Sequence, residues 1–138
     1  MVEEAFLVGR ILFAFLLIGS GVGHLTATAA MAGYAESKGL KNGALMVQIS
    51  GVALIAGGVA IVLGIWGDLA SLGVAILMIA FAVIMHPFWK ETDAQAKQME
   101  MIQFNKDIAL AGAALITYAL FYSVDGFGFY TLTGAVFN

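Results

Sequence analysis

The chain has 138 residues, a length typical of one domain, and 62% of them are hydrophobic while only 11% are charged. A soluble domain carries about 25% charged residues, and a domain this small cannot bury so much apolar side chain inside itself. A net charge of −3 without a basic stripe excludes a nucleic-acid partner. The absence of cysteine excludes disulfides, thiol relays and cysteine-ligated metal clusters.

Four apolar segments are long enough to cross a bilayer as helices. A spanning helix needs about 20 mostly apolar residues, and residues 6–28, 44–66, 69–88 and 108–124 meet this requirement. These segments lack the polar stripe that marks a helix of a soluble bundle. The sequence therefore predicts an all-α integral membrane protein, a four-transmembrane-helix bundle that forms a single domain over residues 1–138.

The links between these segments differ in length. Gly67 and Asp68 are the whole predicted link between the second and third helices, with the glycine in a left-handed position and the aspartate as an N-cap. The other two links, residues 31–43 and 89–107, are long. Within the second of them, residues 94–104 are predicted either as an interfacial helix or as a solvated charged loop. The tail after residue 125 is too short to cross again.

Positive charge predicts the orientation of the helices. Five lysines lie in the two long links, which share one face, whereas Arg10 is the positive residue toward the other face. Because positive residues favour the cytoplasmic side, we expect the long links in the cytoplasm and both termini outside the plasma (inner) membrane. The acidic start, Glu3 and Glu4, does not fit a secretory signal peptide.

Small residues predict how the helices pack, because they let membrane helices approach closely. Gly19, Gly23 and Ala27 form one ridge on the first helix, and the second helix offers Gly51 and Gly58. We therefore expect a closely packed bundle without a wide pore.

Three ionisable residues lie at membrane depth, where such groups are functional candidates by default. For Arg10 there are two alternatives: a side chain that reaches the headgroups, and one buried against a partner or an anionic ligand. His24 and His86 lie toward the opposite surface. Pro87 follows His86 and has no N–H, so the helix ends or bends there and leaves an unpaired carbonyl near the imidazole.

The order of the helices brings polar residues together at the predicted cytoplasmic mouth of the bundle. Small-molecule sites often combine such a group with apolar walls; the alternative is a hydrogen-bonded cluster that only holds the helices in register. A quinone head group fits the first interpretation, because it needs only one or two hydrogen-bond donors. Haem and zinc are not favoured, and neither a metal site nor an intrinsic cofactor is predicted. The candidate ligand-binding residues are His24, Gln48, Ser50, His86, Trp89 and Asn105.

Several short motifs resemble the DoxX family, and together they cover nearly the whole chain. They are residues 19–25 (GSGVGHL), 32–34 (AGY), 37–40 (SKGL), 57–58 (GG), 86–89 (HPFW) and 104–107 (FNKD). The resemblance implies four membrane helices and a small subunit of membrane oxidoreductase assemblies, some of them quinone-linked. Three positions depart from the family pattern. His24 replaces a usual lysine, Ala53 and Leu54 occupy a stretch that often carries an acid, and Lys41 replaces a proline.

Two functions follow as the main hypotheses. The first is an accessory membrane subunit of a redox complex that contacts lipids and other redox subunits and contributes to a quinone site. The alternative is a non-catalytic membrane scaffold or assembly factor. A small channel or transporter is the least favoured, unless the protein oligomerises. Whether the chain belongs to an enzyme is left open, because it has no cofactor motif or nucleophile–base pair of its own.

Overall fold

The computed structural model describes residues 1–123 and 130–138. Within these ranges four helical segments are long and apolar enough to cross a membrane, so the predicted all-α architecture with four apolar helices is confirmed. The predicted end of the fourth crossing, at residue 124, and residues 125–129 of the tail lie outside the described residues. The elements are α1 Val2–Thr26, α2 Thr28–Ser37, α3 Gly43–Leu63, α4 Gly67–Met85, a 3-10 turn Phe88–Lys90, and α5 Ala94–Ser123.

The helices pack as two antiparallel pairs, α1 with α3 and α4 with α5. A Cβ atom on Gly21 of α1 would lie 2.6 Å from the carbonyl oxygen of Gly51 on α3, so the two backbones touch there. The predicted ridge of Gly19, Gly23 and Ala27 is therefore not on the face of α1 that contacts α3. Gly19 has nothing within 4 Å of such an atom, because two residues correspond to about 200° around a helix.

A bend separates α1 from α2, where the sequence predicted a continuous helix to residue 28 and then a loop. The hydroxyl of Thr26 donates to the carbonyl of Val22 at 2.9 Å, and that of Thr28 donates to the carbonyl of His24 at 2.7 Å. Such side-chain bonds compete with the helical ladder and bend helices. The chain then turns into α2, which packs against α3.

The corner between α3 and α4 differs from its prediction. Gly64, with φ 62°, carries the left-handed conformation, while Gly67 is the first residue of α4. Gly67 allows a close approach instead of a turn: a Cβ atom there would lie 2.5 Å from the Phe121 ring, so this position has no room for a side chain. Asp68 lies in the first turn of α4, fully buried, rather than at the N-cap.

Helix α5 begins at Ala94 rather than near residue 108. The Ala96 N–H donates to the carboxylate of Asp93 at 2.8 Å, which stabilises the helix start. Its 30 residues make a helix about 45 Å long, longer than the roughly 30 Å hydrocarbon core of a bilayer. Residues 94–104 are therefore the first turns of this helix, and they carry polar side chains to the end of the bundle where α4 stops.

Candidate functional site

A cavity of about 470 Å³ lies between the α1–α3 pair and the α4–α5 pair. Its walls are mostly apolar and come from all five helices. The polar groups are concentrated toward the end where α1 and α4 stop and α3 and α5 begin. The polar side chains that line it are those of Ser20, His24, Tyr34, Ser50, His86, Lys106 and Asp107.

His24, near the end of α1, is held by Ser50 of α3. The distance from His24 Nδ1 to Ser50 Oγ is 2.8 Å, and the Ser50 hydroxyl donates its hydrogen to the carbonyl of Val47 at 2.9 Å. Because that hydrogen is already used, Ser50 Oγ accepts and His24 Nδ1 donates. The neutral imidazole therefore carries its hydrogen on Nδ1. Its Nε2 is then an acceptor, and the hydrogen-bond partners of the ring within the described part of the chain are Ser50 and the backbone of Val47.

His86, just beyond α4, belongs to a second and larger cluster. Its Nδ1 lies 2.8 Å from Glu100 Oε2, and the other oxygen of Glu100 accepts from Tyr34 at 2.7 Å and from Lys38 at 3.0 Å. Lys38 also donates to Glu91 at 3.2 Å. Glu100 thus joins α2 to α4 and α5 through three donors.

The Tyr34 hydroxyl lies close to two acceptors but has one hydrogen. Glu100 is nearer and charged, while the Met85 carbonyl lies 3.0 Å away at the end of α4. A charged acceptor forms the stronger bond, so the hydrogen belongs to Glu100. Burial and the two neighbouring carboxylates raise the pKa of Tyr34 above its usual value of 10.0. Burial alone would lower the pKa of Lys38, but hydrogen bonds and charges from Glu100 and Glu91 raise it above 10.5.

Asp107 lies on the other side of His86, in the cavity. It is 3% exposed, and its Oδ2 lies 3.7 Å from His86 Nε2. Its Oδ1 lies 3.4 Å from the ammonium of Lys106, whose side chain is half-exposed. Glu100 and Asp107 are seven residues apart on α5, which is two helical turns, so both face the same imidazole.

Three of the six predicted ligand-binding residues line the cavity, and three do not. His24, Ser50 and His86 form part of its wall. Gln48 and Asn105 are exposed and are not part of the cavity wall. Trp89 packs edge-on against the rings of Phe88 and Phe104 at 5.3 and 5.8 Å.

Tyr34, Glu100 and Asp107 were not among the predicted ligand-binding residues. Two spacings carry a signal for them. Tyr34 and Lys38 are four residues apart, and Glu100 and Asp107 seven, so each pair shares a helix face. No group of three histidine, aspartate or glutamate side chains arranged to hold a metal ion is found in residues 1–123 and 130–138.

Arg10 is at the opposite end of the bundle and is buried, which favours the second of its two predicted alternatives. Its guanidinium is 1% exposed and donates to the carbonyl of Tyr130 at 3.0 Å. It also lies 5.0 Å from the Phe6 ring centre and 5.5 Å from that of Phe121, a geometry that attracts cations. The side chain therefore does not reach the headgroups.

The helices and the site define a class of protein: a multi-pass membrane protein with an apolar cavity and an ionisable mouth. A scan of family models matches DoxX over residues 5–87. The chain belongs to the DoxX family. No match is found among curated proteins or among solved structures. The matched range includes α1 to α4 and His86, but not Glu100 or Asp107.

Proposed function

We propose that this chain is an accessory subunit of a membrane redox complex, and that its cavity binds the head group of a quinone. The observation that carries the proposal is the cavity, with about 470 Å³ of space and mostly apolar walls. Ligand sites commonly have volumes of about 300–1,000 Å³ and a few polar groups that orient the ligand. A quinone ring with the start of its tail is of this size.

Several wall residues also face out of the bundle. Leu16 of α1, Ile49 of α3 and Ile84 of α4 line the cavity, yet about half of each side chain is exposed. Exposed apolar residues on a membrane helix face lipid tails. An isoprenoid tail therefore has a way out between the helices while the ring stays inside.

The polar end of the cavity suits both redox states of a quinone. The Nε2 of His24 accepts a hydrogen bond from a quinol hydroxyl, and the Lys106 ammonium donates one to a quinone carbonyl. The chain has no cysteine and therefore no thiol pair to exchange electrons with a quinone. In this proposal the electrons are exchanged with a cofactor on another subunit, in the plasma (inner) membrane, with the mouth of the cavity toward the cytoplasm.

Ubiquinone-1 binding to the full chain in lipid nanodiscs tests the proposal. Ala53 lines the cavity from α3, and Ala56 on the same helix does not. Ala53→Phe fills part of the space, and we expect it to weaken binding by about tenfold or more. The matched control Ala56→Phe is expected to bind as the unmodified chain does. Absence of binding to the unmodified chain, or equal affinity in the two variants, overturns the proposal.

The ion cluster also favours the alternative, a scaffold or assembly factor. Glu100, Tyr34 and Lys38 tie three helices together, as a structural cluster would. The double variant His24→Ala with His86→Ala separates the two functions. In native membranes a quinone-site subunit loses electron transfer per molecule of assembled complex. A scaffold loses only assembled complex, and the electron transfer of what remains is unchanged.

A further inference from the structure

The strongest unexplained feature of the site is the position of His86 between two carboxylates. Its Nδ1 lies 2.8 Å from Glu100 Oε2 and its Nε2 lies 3.7 Å from Asp107 Oδ2. Glu100 is outside the cavity wall, whereas Asp107 is in it. One imidazole thus connects a carboxylate at the surface cluster with a carboxylate inside the cavity.

We propose that Glu100, His86 and Asp107 form a proton relay between the aqueous surface and the hydroxyl of a ligand in the cavity. This inference rests on the proposed function, and it adds that the ligand's head group gains or loses a proton there. Imidazole suits this role, because it accepts a proton on one ring nitrogen and releases one from the other. Its two nitrogens face the two carboxylates in the order that such transfer requires.

The transfer balances without any electron passing through these side chains. When a bound hydroxyl is deprotonated, its O–H bond breaks and the proton forms an O–H bond on Asp107. Asp107 then gives the proton to Nε2 of neutral His86, and the proton on Nδ1 leaves for Glu100 and from there for water. Uptake is the same sequence reversed and starts from the tautomer with the hydrogen on Nε2, so the ring must exchange one tautomer for the other between successive transfers in the same direction. The gap of 3.7 Å between Nε2 and Oδ2 must shorten by a small side-chain rotation for the middle step.

The groups that face His86 agree with this assignment. Tyr34 and Lys38 of α2 hold Glu100 from the far side, and Lys106 holds Asp107. Glu91, beside the 3-10 turn, contacts Lys38. Each carboxylate therefore has a cationic partner of its own, so that neither needs His86 to be permanently charged. The outer end is partly accessible, since the Glu100 side chain is 14% exposed and Tyr34 beside it is 39% exposed.

The two histidines of the cavity differ in their partners. Ser50 holds His24 through Nδ1, and within the described residues no carboxylate is paired with that imidazole. His24 therefore orients a head group, whereas His86 connects it to the surface.

A hydroxynaphthoquinone with a short prenyl tail, lapachol, is a suitable probe, because its anion is red and its neutral form is yellow. The full chain in nanodiscs is loaded with the anion and mixed rapidly with acid, and the loss of the red absorbance of the bound probe is followed. We expect His86→Gln to bind lapachol within about threefold of the unmodified chain but to slow its protonation by about a hundredfold. We expect Asn105→Ala, a change beside Asp107 but outside the cavity, to leave the rate unchanged.

Chemical rescue distinguishes a relay from a structural role. Free imidazole is expected to restore the rate in His86→Gly, because it replaces the missing proton carrier. If His86→Gln does not fold, Asp107→Asn supplies the independent variant, and it is expected to slow protonation to the same extent.

The outcomes separate the two proposals. Lapachol binding that is blocked by Ala53→Phe, together with an unchanged protonation rate in His86→Gln, overturns the relay and leaves the proposed function standing. Failure of imidazole to restore the rate in His86→Gly also overturns the relay. No lapachol binding to the unmodified chain overturns both.

Discussion

The two ends of the bundle bury charge in opposite ways. At the end near the termini, the Asp68 carboxylate accepts from the backbone N–H groups of Val136 and Phe137 at 2.7–2.9 Å, and Arg10 donates to the Tyr130 carbonyl. At the other end, Glu100 and Asp107 face side chains that can themselves ionise.

The difference separates a structural use of charge from a chemical one. A backbone amide neither gains nor loses a proton near neutral pH, so Asp68 is locked in one state by its partners. A carboxylate beside an imidazole can exchange a proton with it. We therefore expect changes at the first end, the tail end, to lower stability alone. Changes at the second end, the cavity end, should alter ligand chemistry as well.

The largest expected loss of stability comes from Asp68→Ala. It leaves the Val136 and Phe137 N–H groups without their charged acceptor in a partly buried place, at a cost of about 3 kcal/mol. Thermal unfolding in mild detergent measures this, and ubiquinone-1 affinity is expected to stay the same. Asp93→Ala, which removes only an exposed helix cap, is the control and should cost about 1 kcal/mol. A lower affinity in Asp68→Ala would show that the two ends are coupled.

Glu100→Gln should give the next largest loss of stability. We expect the free energy of unfolding to fall by about 2 kcal/mol, because the change removes the charge that faces Lys38 and His86. Unlike the change at Asp68, it should also slow protonation of bound lapachol. Glu91→Gln removes one contact with Lys38 at a more exposed position, and about 0.5 kcal/mol is expected there. Equal unfolding temperatures for these two variants would contradict the claim that Glu100 stabilises the cluster more than Glu91 does.

Ser50→Ala tests the cavity wall and should lower the free energy of unfolding by about 1 kcal/mol. Without Ser50 Oγ, His24 is no longer held with its hydrogen on Nδ1, so ubiquinone-1 affinity should fall as well. Ser123 makes the same local bond, to the carbonyl three residues earlier at 2.9 Å, as Ser50 does. Ser123→Ala is therefore a matched control, expected to keep full affinity. A similar loss of affinity in both variants would point to a general loosening of the helices.

The smallest effect is expected from pH. The raised pKa values of Tyr34 and Lys38 mean that the folded chain holds these protons more tightly than the unfolded chain does. Their stabilisation is complete below pH 10 and is lost as the pH rises through the higher folded-state values. The unfolding temperature should therefore decline above about pH 10. The decline should be shallower in Tyr34→Phe than in Tyr118→Phe, a change outside the cluster, and equal slopes would refute this assignment.

The sequence was sufficient for the crossings because length and apolarity alone decide them. The sequence was insufficient for locating the start of α5. Lys97 and Glu100 lower the mean hydropathy there, so apolarity alone does not reveal the helix. A helix accommodates both residues, because its polar face meets α2 and α4. Gly19 and Gly21 show a second limit. Both lie in the same apolar run, and only the position of α3 decides which one is at the contact.

The position of the polar end of the cavity was predictable from the sequence, but only part of its lining was. His24, Ser50 and His86 followed from the order of the helices, which brings their ends together. Gln48 and Asn105 lie at the same depth but on the other faces of their helices, and depth alone does not reveal a face. Arg10 lies 120 residues from the carbonyl that it contacts, and no local pattern indicates a partner so far along the chain.

That contact has a consequence for biosynthesis. Helix α1 is made before the helices that follow it, yet the carbonyl that receives its guanidinium belongs to a residue 120 positions later in the chain. Until Tyr130 has left the ribosome, Arg10 must remain at the headgroups or in water, so α1 cannot settle at its final depth. Helix α1 therefore reaches its final depth only after α5 has been made, and a chain truncated before residue 130 should be recognised by membrane quality control as unfinished.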